Sequence, residues 1–282
     1  MTIGEALKEE QKRLGLTAKE MAAGIVSKSM YSKVINNKAR LGADLLLKIL
    51  FFHEIDIESF LDKTKDTYAP ANIILEENLS KKIGTAFNNH DIDKVKHYAI
   101  EIKNLSNNPY LVQRAQIASA FLTNNLDKLD SHFSNLILKE LSTHNNWIHN
   151  VQALNLFSNS MLVLPEDSVE NQMKIFFIRM KRIGNKSEAM LERYAIVCSN
   201  YLHWKYSLIN KGDLADKNYN DYNIKNAINF LNSINQIPHL MIYSISGQYY
   251  KSLFNNDIAS ALKIKEYLGR LGFGDLTGNW PV

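Results

Sequence analysis

Apolar residues recur at three- and four-residue intervals along almost the whole chain, the period of helices that bury one face. The spacing predicts a first helix over Ile3 to Leu14, ended by Gly15. Thr17 caps a second helix, with Glu20 three residues on, and Ser27 caps a third that runs to about Asn36. The Asn36-Asn37 pair suits the left-handed backbone that stops it. A fourth helix covers Gly42 to His53, with Leu45, Leu46, Ile49 and Leu50 on one face, and a short fifth covers Ile57 to Leu61. The stretch DKTKDTYAP, Asp62 to Pro70, is polar, ends in proline and reads as a linker.

Beyond it the pattern becomes antiparallel helix pairs. The predicted segments are Ile73–Asn88, Ile92–Leu105, Leu111–Leu122, Leu126–Leu141, Trp147–Val163, Val169–Ile183, Glu188–Ile209, Asn223–Ile234, His239–Phe254 and Ile258–Leu271. Turn residues separate them, among them Asn88-Asn89, Asn107-Asn108-Pro109, Asn145-Asn146, Gly184-Asn185 and Lys211-Gly212-Asp213. MLVLP, Met161 to Pro165, has strand character but is too short and isolated to build a sheet. Pairs recur at roughly 34 to 47 residues, the spacing of helical solenoids. FNNDIASALKIKEYLGRLG near the end echoes FNNHDIDKVKHYAIEIKNL at Phe87 to Leu105. The expected fold is all-α: a five-helix helix-turn-helix domain at residues 1–65, then a superhelix of tetratricopeptide-like pairs at 66–282. Such an array has a concave face.

Composition adds little until its distribution is considered. The 282 residues are 45% hydrophobic and 22% charged, with a net charge of +4. Between Met21 and Ala43 there is no acidic residue, while Lys28, Lys33, Lys38 and Arg40 all fall there. A single cysteine, Cys198 in AIVCSNYL, excludes an internal disulfide, suits a reducing cytoplasm and reads as a buried core residue. No stretch reaches the ~20 apolar residues of a membrane span, so no membrane partner is expected. No HExxH, CxxC or glycine-rich phosphate loop occurs. His144 and His149 are five apart, a poor helical metal spacing, so neither metal nor other cofactor is expected. Acid pairs such as Glu9-Glu10 and Glu76-Glu77 read as solvated helical turns, and GFGDLTGNW, Gly272 to Trp280, reads as a tail. Nothing points to an enzyme.

TAKEMAAGIVSKSMYSKVINNKARL, Thr17 to Leu41, resembles the repressor-type helix-turn-helix of bacteria and phages. On that resemblance Met21, Ala22, Ile25, Val34 and Ile35 pack the two helices. Ser27 caps the recognition helix, and its N-terminal amides face a phosphate. Lys28, Ser29 and Met30 stand nearest base edges, while Ser32, Lys33, Lys38 and Arg40 meet phosphates. Thr17 joins the DNA-contacting set as cap of the preceding helix. The recognition helix has no arginine, so sequence choice leans on Ser29, Met30, thymine methyls and DNA shape. Asn36 stands where many such helices carry glutamate.

Over its full length the chain resembles the Rgg family of Gram-positive regulators, cytoplasmic receptors of peptide pheromones. Beyond the N-terminal module the resemblance is carried by WIHNVQALNLFSNSMLVLP, Trp147 to Pro165. It implies a cytoplasmic homodimer that binds promoter DNA and holds a short hydrophobic quorum-sensing peptide in the concave groove. Asparagine offers both donor and acceptor to an extended backbone. Asn159 and Asn200 sit at similar places in successive repeat helices, Arg193 lies on about the face of Asn200, and Gln248 is a further candidate. The family's dimer-linking cysteine near the fourth helix is absent, that region reading Gly42-Ala43-Asp44. Two other readings stand beside this one: a helical-repeat scaffold for a protein partner, and a DNA-binding regulator that answers a small molecule or no ligand.

Overall fold

Side-chain caps set the starts of the first helices. The structure, a computed structural model, describes residues 1–143, 146–210, 221–278 and 280–282, and every regular element among them is helical. The expected turns at Asn145 and at Lys211-Gly212-Asp213, and His144, lie outside the described residues. α1 (Ile3–Arg13) begins at Thr2, whose hydroxyl accepts from the Glu5 amide while Glu5 reaches back to the Thr2 amide. α2 (Ala18–Ala22) repeats the arrangement with Thr17 and Glu20. Ala23 and Gly24, at φ 49° and 71°, turn the chain toward α3 (Lys28–Ile35), which Ser27 caps through the Met30 amide. Of the Asn36-Asn37 pair only Asn37 goes left-handed, at φ 58°. It also accepts from the Thr2 hydroxyl at 2.8 Å and donates to Glu5, tying the end of α3 to the start of α1.

The chain divides into two compact units, Met1–Lys81 and Lys82–Val282, and the division falls within α6 (Ala71–Asn88). In the first unit α1 packs on α3 and on α5 (Ile57–Tyr68), and α2 packs on α3. Leu7, Met21, Tyr31, Val34 and Phe60 meet Leu46, Ile49 and Leu50 of α4 (Ala43–Phe52) in one core. The Tyr31 hydroxyl donates to the Leu7 carbonyl, and burial pushes its pKa up to about 12. Gly4 sets how closely α1 and α3 approach, because a Cβ there would sit far inside contact distance of the Val34 carbonyl oxygen.

Two expectations change in this unit. The stretch at 62–70 is helical as far as Tyr68, so α5 is twelve residues long rather than five. Local hydrophobic periodicity does not reveal the extension, because long-range ion pairs support it. Lys63 pairs with Glu9 at 2.7 Å and with Glu10 at 2.8 Å, and Lys65 with Glu77 at 2.7 Å. The helix stops at Ala69, where the following proline disfavours helical backbone. Glu10 is buried rather than solvated. Burial alone would raise its carboxyl, but hydrogen bonds from Lys63 and Arg13 outweigh that and hold it below the usual carboxylate range.

The second unit is built of helix pairs. α7 (Ile92–Leu105) packs on α8 (Pro109–Leu122), α9 (Ser131–Thr143) on α10 (Val151–Ser160), and α11 (Glu166–Met180) precedes α12 (Glu188–Asn210). α13 (Tyr222–Ser233) packs on α14 (Met241–Phe254), which is followed by α15 (Ile258–Arg270) and α16 (Gly274–Thr277). The even-numbered members lie side by side, α8 on α10, α10 on α12 and α12 on α14. The sequence echo is structural. Before α7 and before α15 a left-handed residue, His90 or Asn256, turns the chain. An aspartate, Asp91 or Asp257, then caps the helix through the third amide on.

Three segments depart from the expected boundaries. The helix foreseen over Leu126–Leu141 is a 3-10 turn at Leu126–Lys128 and then α9, because Asp130 accepts from the Phe133 amide and starts a new helix. The segment from Trp147 opens as a 3-10 turn, and Asn150 then caps α10 through the Gln152 and Ala153 amides. The C-terminal stretch is no loose tail. α16 buries Thr277, Trp280 stacks at 4.5 Å from Tyr249, and Lys265 donates to the Trp280 carbonyl at 2.9 Å.

The Gly4 contact yields a prediction. Gly4→Ala should destabilise the N-terminal unit by about 1–3 kcal/mol, the usual cost of forcing apart a packed contact. Denaturant unfolding of the full chain followed by circular dichroism measures it. Unchanged unfolding would show that α1 and α3 are not pressed together there.

Candidate nucleic-acid interface and ligand-binding layer

The exposed side of the helix-turn-helix is defined by what its core leaves over. Met21, Ala22, Tyr31 and Val34 are buried, while Ile25 and Ile35 pack half-buried against them. That turns Ser27, Lys28, Ser29 and Lys33 outward, all exposed. Thr17, Lys38 and Arg40 are exposed as well. Met30 is half-buried against the core and Ser32 is half-buried, its carbonyl accepting from Asn36 at 2.8 Å. Lys28, Lys33, Lys38 and Arg40 form no ion pair among the described residues. Ser27 satisfies the Met30 amide, which leaves the first amides of α3 pointing outward beside Lys28 and Ser29.

The four residues expected to meet a ligand all fall on the even-numbered helices of the second unit, but only some come together. Asn200 on α12 donates to the Ser158 carbonyl of α10 at 3.0 Å, which brings it beside the turn that carries Asn159. Asn159 is exposed and folds its amide back onto the Asn155 carbonyl of its own helix. Arg193, two turns before Asn200, is half-buried. Gln248 on α14 is exposed and donates to Asn232 of α13 at 2.9 Å.

Sequence reasoning missed two features. The first is a buried ionic cluster. Lys205 on α12 pairs with Glu166 at 2.9 Å and Glu170 at 2.6 Å. Glu170 also accepts from the Tyr201 hydroxyl and from Asn223. Burial disfavours the ammonium, but the two carboxylates outweigh it and raise its pKa. These charges are spent on structure. The second is a group of buried polar atoms without partners on α8 and the turn before α10: the Tyr110 hydroxyl, Gln113 Oε1, Arg114 Nε and Trp147 Nε1. A signal existed, since Arg114 is the one charged residue in PYLVQRAQIASAFL, but a single arginine in an apolar helix carries no pattern. Cys198 is buried as expected, and burial raises its thiol pKa. Among the described residues no cluster could hold a metal ion, and no helix is long and apolar enough to cross a membrane.

Asn200 and Asn159 differ in a way that stability can read. Asn200→Ala should cost about 1 kcal/mol, because it strands the Ser158 carbonyl, and lower Tm by roughly 2–4 °C in a chain of this size. Asn159→Ala, whose amide serves only its own helix, should stay within about 0.5 kcal/mol of the parent. Differential scanning calorimetry checks both, and equal effects would contradict the interhelical role of Asn200.

No protein-family model and no curated protein sequence matches the chain. Solved structures do. A Listeria monocytogenes EGD-e protein assigned as a transcriptional regulator matches with a TM-score of 0.72 at 15% identity, over 98% of this chain and 94% of that one. The Streptococcus dysgalactiae SHP pheromone receptor Rgg2 matches with a TM-score of 0.66 at 12% identity, over 96% of each chain. A bacterial peptide pheromone receptor, solved as a complex with its pheromone, matches with a TM-score of 0.64 at 18% identity, over 97% of this chain and 94% of that one. The Rgg resemblance read from the sequence thus holds at the level of fold. The chain has the all-helical fold of these proteins, a helix-turn-helix unit followed by tetratricopeptide-like helix pairs.

Proposed function

We propose that the chain is a sequence-specific DNA-binding transcriptional regulator controlled by a short signalling peptide, acting in the cytoplasm as a homodimer. DNA reading is assigned to residues 1–65, and peptide binding and dimerisation to 66–282. The observation that carries the reading is the exposed side of α3 and the segment after it, where Lys28, Lys33, Lys38 and Arg40 form no ion pair among the described residues. Cations that serve the fold find carboxylates, as Lys63 and Lys205 do. Cations left unpaired around outward-facing helix amides suit phosphates. Lys28 and Ser29 are then placed for base edges, with Met30 reaching them only by its exposed part. Ser32, Lys33, Lys38, Arg40 and Thr17 hold the backbone.

The peptide half of the reading is supported by fold, since proteins of this fold include a pheromone receptor and a peptide pheromone complex. The extended ligand lies along the even-numbered helices, meeting the Asn200 carbonyl oxygen, Asn159 and Arg193, with Gln248 at the far end. Support for a dimer comes from the C-terminal helices. The run LMIYSISGQYYKSLF spends Leu240, Tyr249, Tyr250, Leu253 and Phe254 on its own core. The apolar residues left exposed are Leu262, Tyr267, Leu271, Phe273 and Leu276 in and after α15.

Lys33→Ala should weaken binding to all duplexes alike and reduce the dependence of log affinity on log salt by about one unit, as loss of one phosphate contact does. Ser29→Ala should change sequence preference instead. Fluorescence anisotropy with a selected duplex and with random duplexes separates the two. If Lys28→Ala and Lys33→Ala leave low-salt affinity untouched, α3 is not the reading helix. Sedimentation should show a dimer at micromolar concentration, converted to monomer by Leu262→Glu with Tyr267→Glu. A monomeric parent protein would remove the dimer from the reading.

A further inference from the structure

Between Arg193 and Ser207, α12 is open along one stripe. Arg193, Ile196, Ser199, Asn200, His203 and Ser207 are half-buried and recur at helical spacing, and every other residue in that span is buried. His203 Nδ1 lies 3.1 Å from the Tyr250 hydroxyl of α14. Burial holds the ring below the ordinary histidine pKa, so it is neutral at pH 7. Tyr250 is buried, and its hydroxyl has no other partner among the described residues. A hydroxyl that only accepted from Nδ1 would leave its own hydrogen enclosed and unsatisfied, which costs free energy. The hydroxyl therefore donates, Nδ1 accepts, and the one ring proton sits on Nε2. Nε2 has no partner among the described residues and is not enclosed, so it is open to a molecule lying in the stripe.

Asn200, three residues earlier, offers the complementary group. Its amide nitrogen donates to the Ser158 carbonyl, which fixes the side chain. Its Oδ1 is left as an acceptor that is not enclosed and has no partner among the described residues. Residues three apart on a helix are neighbours, about 5–6 Å between their Cβ atoms. The stripe therefore presents an acceptor and a donor side by side, Asn200 held by α10 and His203 by α14. In an extended chain the N–H and C=O of one residue leave the same edge, which is how paired residues of antiparallel strands exchange two hydrogen bonds. A neighbouring acceptor and donor match that edge. From Arg193 to His203 the helix rises about 15 Å, the span of roughly five extended residues.

We propose that Asn200 Oδ1 and the His203 Nε2 proton together bind the N–H and C=O of a single residue of an extended peptide, as the edge of a neighbouring strand would, with Tyr250 the positioning residue that keeps the His203 proton on Nε2. The inference rests on the peptide reading given above and deepens it. It adds His203 to the ligand-contacting residues and makes the ligand's main chain, not a side chain, what is read there. A residue without an N–H, such as proline, is excluded from that place in the ligand.

The ligand-free full chain provides the first measurement. Nitrogen NMR of its histidine rings, with the His203 signals identified by their loss in His203→Phe or His203→Gln, should show a neutral ring protonated at Nε2. A ring protonated at Nδ1 overturns the proposal. The second measurement uses a library of N-acetylated, C-amidated pentapeptides with Leu, Ile, Val or Phe at each position, its bound members identified by mass spectrometry after gel filtration with the full chain. Calorimetry then follows the tightest member as each residue in turn is N-methylated, or has its carbonyl changed from amide to ester. At one and the same residue N-methylation should weaken binding about 5- to 150-fold, and the ester, which leaves a weaker acceptor, about 2- to 10-fold. The next residue's N–H, which the ester also removes, leaves the opposite edge, and its own N-methylation is the control. Asn200→Ala should cancel the effect of methylation at that residue, and His203→Phe that of the ester. The scan on the unaltered chain tests the pair even where a variant does not fold. If no residue is sensitive to both changes, or if either folded variant keeps the full sensitivity, the pair is overturned and the peptide reading stands. A library from which nothing binds overturns the peptide reading, and the pair with it.

Discussion

A helix that buries large side chains on more than one face needs several neighbours to enclose it, and α12 imposes that condition on the second unit. Tyr194, Ala195, Val197, Cys198, Tyr201, Leu202, Trp204 and Tyr206 are all buried, and no single neighbour could cover them. α10 takes one side, while α13 and α14 take the others. The aromatic cluster follows from the same need. Tyr194 meets Phe176 and Phe230, and Trp147 meets Phe157 and Phe176 at 5.0 and 6.2 Å. The Tyr194 hydroxyl, which enclosure cuts off from water, donates to the Ile148 carbonyl. The faces of α10 and α12 that meet are therefore fixed before any ligand arrives, and Asn200, Arg193 and the end of α10 are held in place by the core.

Charge is distributed in the molecule by a consistent logic. Wherever burial of an ionised group serves the fold, its partner is present: Glu10 with Lys63 and Arg13, Lys205 with Glu166 and Glu170. Lys28, Lys33, Lys38 and Arg40, exposed on α3 and just after it, form no ion pair among the described residues. Lys33 and Lys65 both look like surface lysines in the sequence, yet Lys65 has Glu77 at 2.7 Å and Lys33 has no carboxylate partner among the described residues.

Local signals were legible and long-range ones were not. Thr17 and Ser27 announced their helices because capping involves atoms within three residues, and the echo before α7 and α15 was readable because an Asn-rich turn and an aspartate cap are local chemistry. The continuation of α5 was hidden, since Lys63 finds Glu9 and Glu10 more than fifty residues away in sequence. The same holds for the C-terminal stretch, whose glycines suggest a tail while Trp280 packs on Tyr249. Of the candidate site, the outward face of α3 could be written down from spacing. Asn200 could be placed on a face, but its bond to Ser158 could not.

The Lys205 cluster carries a mechanical consequence. Neighbouring helices in such arrays can respond to a bound molecule by sliding along one another or by tilting as rigid rods. A slide of one helical turn would carry Lys205 about 5.4 Å from its carboxylates and leave an ammonium stranded among Tyr201, Trp204 and Tyr206. Apolar contacts alone would tolerate that slip, since one aliphatic ridge resembles the next. The ionic cluster works as a ratchet pawl between α11 and α12: it permits them to pivot together but forbids a change of register. Any signal crossing this part of the array must therefore travel as rotation of a fixed pair, its amplitude growing with distance from Lys205.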